Sequence, residues 1–89
     1  MNIIVKDNKP ETHMCITTCS MVEYEPEYDR LCVRQFNLNG GMGSIMYINQ
    51  ARVEGRENES GHEAAEQIIN GMNSRNYCKV VCESFKVYT

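Results

Sequence analysis

No stretch of the chain approaches the roughly 18 consecutive apolar residues that a membrane-spanning helix needs. The opening Met1-Asn2-Ile3-Ile4-Val5-Lys6 is too short and lacks the basic flank of a secretion signal. These two absences point to a soluble, cytoplasmic protein with no membrane partner. Basic residues are few, nine against twelve acidic, for a net charge of −3 in 89 residues. A surface that tracks phosphates needs clustered Lys and Arg, so direct nucleic-acid binding is disfavoured. Five cysteines form an odd set, which argues against a secreted disulfide scaffold. The close Cys-x-x-Cys spacing of common zinc sites is missing too, and no cofactor or metal is expected. There is no internal repeat and no low-complexity tract.

What remains fits one small domain. A chain of this length buries only about 60–65% of the surface its unfolded form exposes, yet 42% hydrophobic residues are adequate for a core. The cysteines fall largely in two Cys-x-x-x-Cys pairs, Cys15/Cys19 and Cys78/Cys82, both within β-branched stretches that favour strand. Four strand residues rise roughly 13 Å, too far for the members of one pair to bond each other. Together with Cys32 they read as small apolar fillers of a reduced core.

Strand and turn signals give the order β-β-β-β-α-β. Ile3-Ile4-Val5 stops at the turn Asp7-Asn8-Lys9-Pro10. His13 to Glu25 reads as one long strand with a bulge or cover on both sides, since both parities are partly apolar. Leu31 to Leu38 and Ser44 to Glu54 follow as strands joined by a glycine hairpin, Asn39-Gly40-Gly41-Met42-Gly43. That loop precedes a strand and lacks a following Gly-Lys-Ser/Thr, so it is no phosphate cradle. Ser60-Gly61-His62-Glu63 fits a capping box. Ala64, Ala65, Ile68, Ile69 and Met72 form the apolar stripe of the only helix, with Arg75 near its negative end. Tyr77 to Tyr88 is the last strand. The expectation is a two-layer α+β domain (residues 1–89), with an antiparallel sheet of about five strands under one helix. One helix covers such a sheet poorly, so self-association as a homodimer is expected to cover the rest.

Catalysis has little to stand on. His13 and Cys15 share a strand face, but nothing suggests an orienting third group or an oxyanion hole, and the protein is read as no enzyme. The most unusual segment is Glu23-Tyr24-Glu25-Pro26-Glu27-Tyr28-Asp29, with four carboxylates and two tyrosines around a proline. It reads either as a solvated turn that guards strand ends or as a partner-binding surface. Tyrosine gives contact area at low entropic cost, and carboxylates steer towards basic partners. Glu54, Glu57 and Glu59, continuing into Glu63 and Glu66, form a second acidic group. If both lie on one side, they present a negative face to an Arg/Lys-lined groove of the kind nucleic-acid-binding proteins carry.

A small acidic domain with this Glu/Tyr hairpin and no enzyme motif resembles the phage-encoded inhibitors of bacterial defence, of which the anti-CRISPR proteins are a group. The resemblance covers general character over the whole chain. It implies stoichiometric binding to a basic surface of a nucleoprotein effector in the host cytoplasm, without turnover. Two other readings stay open. One is a dimeric small-ligand or regulatory module using Thr17, Thr18, Ser20, Gln35 and Asn49. The other is a nucleic-acid-binding sheet using Arg30, Arg34, Arg52, Lys79 and Lys86 beside Tyr47 and Phe85.

Overall fold

A computed structural model describes residues 2–10, 14–18, 21–36, 42–71 and 78–88. In chain order the elements are β1 Asn2–Asp7, β2 Met14–Thr18, β3 Met21–Glu25, β4 Arg30–Phe36, β5 Met42–Asn49, β6 Arg52–Val53, α1 Gly61–Asn70, β7 Cys78–Cys82 and β8 Ser84–Tyr88. The α+β class stands, but the single antiparallel sheet does not. The strands form two four-stranded sheets, ordered β2-β1-β7-β6 and β3-β4-β5-β8. One neighbouring pair, β1 with β7, is parallel.

The physical reason lies in three stretches that read as single long strands. Each divides into two shorter strands, one in each sheet: β2 and β3, β5 and β6, β7 and β8. The inward parity switches at two of these corners. In β7 and β8, Cys78, Val80 and Cys82 face the core, yet the next core-packed side chain is Phe85. In β5, Met46 and Ile48 face inward, and after the corner Ala51 does. A one-residue slip exchanges the two faces of a strand, which is why both parities look apolar in sequence. Gln50 makes its corner with a φ of 51°, a left-handed conformation uncommon outside glycine. At Glu83 the backbone N–H donates to the Asn49 carbonyl at 3.0 Å and ties the two corners together. Strands that pass between sheets in this way turn the corners of orthogonally packed β structures.

The core is shared by both sheets and the helix. Ile3, Leu31, Ile48 and Ile68 are fully buried, each worth about 1.5–3 kcal/mol relative to exposure. The helix starts where expected: the Ser60 hydroxyl oxygen accepts from the Glu63 N–H at 3.2 Å. It is shorter than the sequence suggests. It ends at Asn70, with the Gly71 N–H donating to the Gln67 and Ile68 carbonyls. Its buried face is Ala64, Ala65 and Ile68, whereas Ile69 is 47% exposed. Met72, Arg75 and the glycine-rich stretch 39–41 lie outside the described residues. The helix packs against β3, β4 and β6, so it sits beside edge strands of both sheets.

Gly61, the first helical residue, is buried against Tyr24. A Cβ there would overlap the Tyr24 ring and stand 2.8 Å from Asp29 Oδ1. Alanine ordinarily improves a helix over glycine by about 1 kcal/mol. Gly61→Ala is expected to reverse that sign and lower the unfolding free energy by about 1–3 kcal/mol, the usual cost of overpacking. Urea unfolding measures it, and a variant as stable as the parent would contradict the close approach.

Candidate functional site

The turn between β3 and β4 is built from the Glu25-Pro26-Glu27-Tyr28-Asp29 segment. Its backbone closes with the Tyr28 N–H on the Glu25 carbonyl at 3.3 Å and the Asp29 N–H on the Pro26 carbonyl at 3.4 Å. Asp29 adopts a φ of 46°, which Asp tolerates better than most residues. Its carboxylate accepts from the Tyr24 hydroxyl at 2.9 Å and from both terminal nitrogens of Arg52, at 3.3 and 3.1 Å. This two-toothed Arg–carboxylate pairing is the strong form of the contact. The Asp29 carbonyl also accepts from the Gln50 N–H at 2.7 Å. The turn is thus clamped to the β5–β6 corner. The Arg52 guanidinium holds the Asp29 carboxyl below the ordinary carboxylate range, and the same carboxylate pushes the Tyr24 hydroxyl up.

The four carboxylates of this segment therefore divide. Glu25 pairs with Arg30 at 3.1 Å, a bond that raises the Arg30 guanidinium further and keeps it charged. Asp29 belongs to Arg52. Glu23, Glu27 and Tyr28 face solvent, Tyr28 at 61% exposure, while Tyr24 is half-buried. In the second acidic group Glu54 and Glu57 are exposed. Glu57 accepts from the Gly55 N–H at 2.9 Å, which lowers its pKa. Glu59 is half-buried, accepting from the Gln67 amide at 2.6 Å and pairing with Arg56 at 3.6 Å. The Asp29–Arg52 pair and the Tyr24–Gly61 contact tie the turn to residues at both ends of the segment that carries the second acidic group. Sequence reasoning assigned neither arginine to this turn. The Glu25–Arg30 pair is legible as a hairpin register, since the two residues are cross-strand partners. Arg52 is distant in sequence and carries no such signal.

A second constellation lies on the outer face of the β3-β4-β5-β8 sheet. The Arg30 guanidinium sits 4.3 Å from the ring centres of both Tyr28 and Tyr47. Tyr47 meets Tyr88 edge-on at 5.7 Å, and the Lys86 ammonium lies 5.2 Å from the Tyr88 ring. Arg34, on the same face, bonds the Cys32 thiol and feels Glu23, both of which raise its pKa.

Cys32, Cys78 and Cys82 are free thiols, Cys32 and Cys82 buried and Cys78 half-buried. Burial pushes Cys78 up and, with Asp7 nearby, takes Cys82 to about 11. Both stay protonated at neutral pH, which makes them poor nucleophiles and metal ligands. The side chains of His13, Cys15 and Cys19 lie outside the described residues. Among the described residues no group of three His, Cys, Asp or Glu side chains is placed to hold a metal, and no helix is long and apolar enough to cross a membrane. A cleft of about 450 Å³ opens to solvent between Asn8, Gln50, Arg52, Val81, Cys82 and Glu83. Another, of about 350 Å³, includes Ile4, Lys6, Met14, Glu54, Lys79 and Val81. Gln35 and Asn49, which the small-ligand reading would use, bond Ser44 and Ser84. Comparison with protein-family models, curated proteins and solved structures found no match for this chain.

The clamp makes stability depend on pH. Because the Asp29 pKa is lower folded than unfolded, its contribution is complete above about pH 4 and is lost as the pH falls through the folded value. Asp29→Asn is expected to destabilise the protein at neutral pH, with the gap to the parent closing in acid. Urea midpoints along a pH series check this, and a gap constant down to about pH 2 would contradict it.

Proposed function

We propose that this protein is a stoichiometric binding protein, without catalytic turnover, that occupies a basic surface on a protein partner. In the manner of the phage-encoded inhibitors it resembles, the partner would be a nucleoprotein effector of host defence, met in the host cytoplasm. The observation that carries this reading is the division of charge in the hairpin. Asp29 and Glu25 are engaged by internal arginines, and so they hold the turn in place. Glu23, Glu27 and Tyr28 are presented to solvent, and Glu54 and Glu57 are exposed on the segment that follows Arg52, the residue that holds the turn. A turn fixed in advance loses little entropy on docking. Its exposed carboxylates attract a cationic surface at long range and set its register, while the exposed tyrosine ring supplies the apolar anchor. Glu59 supports this surface mainly by bracing the loop against Gln67.

The test separates presented from structural carboxylates. Removing Glu25 or Asp29 would break ion pairs and confound binding with folding. The informative variant is Glu23→Gln with Glu27→Gln and Glu54→Gln. It is expected to keep the parent's unfolding midpoint and to capture the partner, recovered from host lysate by affinity and identified by mass spectrometry, about 10- to 100-fold more weakly. That range follows from up to about 1 kcal/mol for each exposed charge pair. Raising the salt concentration should weaken the parent complex in the same direction. Undiminished capture by the triple variant, at low and high salt alike, would remove this surface from consideration.

A further inference from the structure

We infer that the outer face of the β3-β4-β5-β8 sheet is a binding platform for a short stretch of single-stranded nucleic acid. The strand registers lay out this face as a grid. One row runs Met21, Arg34, Ile45, Tyr88; the next Glu23, Cys32, Tyr47, Lys86; the third Glu25, Arg30, Asn49, Ser84. Across it runs a diagonal of rings, from Tyr28 at the turn through Arg30 to Tyr47 and on to Tyr88, with successive separations of 4.3, 4.3 and 5.7 Å. Arg34 flanks the upper end of the diagonal on one side and Lys86 on the other.

This arrangement has the two parts that single strands require, aromatic surfaces on which bases stack and cations beside them for the backbone. Four-stranded sheets with surface aromatics hold about two or three bases in this way, which suits three rings. Tyr28 is 61% and Tyr88 48% exposed, so ring area is free at both ends of the diagonal.

The opposing charges stand at one margin. Glu23 and Glu25 both lie on β3, the edge strand, and act on Arg34 and Arg30 respectively. The pairing leaves Lys86 and the β5–β8 side without a facing carboxylate in the grid. The acidic helix packs mainly against β3, β4 and β6. A negative protein thus keeps a locally cationic, aromatic strip. A duplex hides its base faces, so stacking selects the unpaired strand.

The proposed protein contact adjoins this face at Tyr28 and at Glu23, which stands in the grid opposite Cys32, and the experiment uses side chains that belong to this face alone. Fluorescein-labelled oligouridylate and oligothymidylate, about a dozen nucleotides long, are titrated with the full chain at about 50 mM salt and followed by anisotropy. Saturable binding is expected for the single strands and at least about tenfold weaker binding for a duplex of the same length. Tyr88→Ala and Tyr47→Ala should each weaken binding about tenfold, with Tyr88→Phe restoring most of it. Lys86→Gln should lower the slope of log affinity against log salt by about one. Tyr88 is half-exposed at the sheet edge, so its variants are expected to fold, and circular dichroism reports whether they do. Absence of saturable binding by the parent, or binding unchanged in both tyrosine-to-alanine variants, would overturn the assignment. If the parent binds no oligonucleotide while capturing its protein partner, this face passes to the protein contact and the carboxylate surface stands unaffected.

Discussion

The carboxylate of Asp29 ties the β3–β4 turn to the first residue of β6 across the β5–β6 corner. It bonds Arg52 on β6 and Tyr24 on β3, while its own carbonyl takes the Gln50 N–H at the corner between β5 and β6. The Tyr24 ring in turn rests against Gly61, where the helix begins. Two residues here, Asp29 and Gln50, sit in left-handed backbone conformations, which cost roughly 1–2 kcal/mol each in a residue with a side chain. A partly exposed ion pair alone would offset little of that. The bidentate geometry, the tyrosine bond and the backbone bond act on one group, and such networks outweigh their separate members.

The clamp is made possible by the way the strands change sheet. The chain makes two small sheets out of strands that change sheet part-way, so neither needs a second layer of helices. The inner faces cover each other, and α1 covers the side where β3, β4 and β6 meet it. Crossing from sheet to sheet exchanges the inward parity at Gln50 and at Glu83, and it brings distant segments into the same neighbourhood. Arg52 reaches the hairpin only because β5 ends at Asn49 and the chain re-enters the other sheet at Arg52.

Much of this is legible in the amino-acid sequence alone. The Ser60 cap, the buried stripe of Ala64, Ala65 and Ile68, and the strands around Ile3, Leu31 and Ile48 follow from local pattern. The doubled apolar parity of His13–Glu25, Ser44–Glu54 and Tyr77–Tyr88 is visible too, but it admits two causes: cover on both faces, or a corner that swaps them. Local pattern cannot choose between these, because the choice depends on which segments pair across the chain, β1 with β7 above all. The same limit applies to the site. The Glu/Tyr hairpin stands out in sequence, whereas half of its charge is neutralised by Arg30, legible through the hairpin register, and by Arg52, which is not. The tyrosine diagonal combines residues from a turn and two strands, and only the register of β4, β5 and β8 aligns them.

Functionally the molecule separates two kinds of surface. Around the turn, internal ion pairs leave a few carboxylates and one tyrosine outward on a braced support. Across the second sheet, arginines and a lysine interleave with tyrosines. Both surfaces depend on the turn keeping its place, because Tyr28 contributes to each and Arg30 joins Glu25 to the rings. Amide hydrogen exchange on the parent and on Asp29→Asn tests that dependence most directly. The account expects slow exchange at Gln50, Tyr28 and Asp29 in the parent. In the variant, acceleration should be greatest at these amides and the first turn of the helix, with β1 and β7 changing only by as much as the global loss of stability. Equal exchange at these positions in both proteins would show that the turn is held by something other than Asp29.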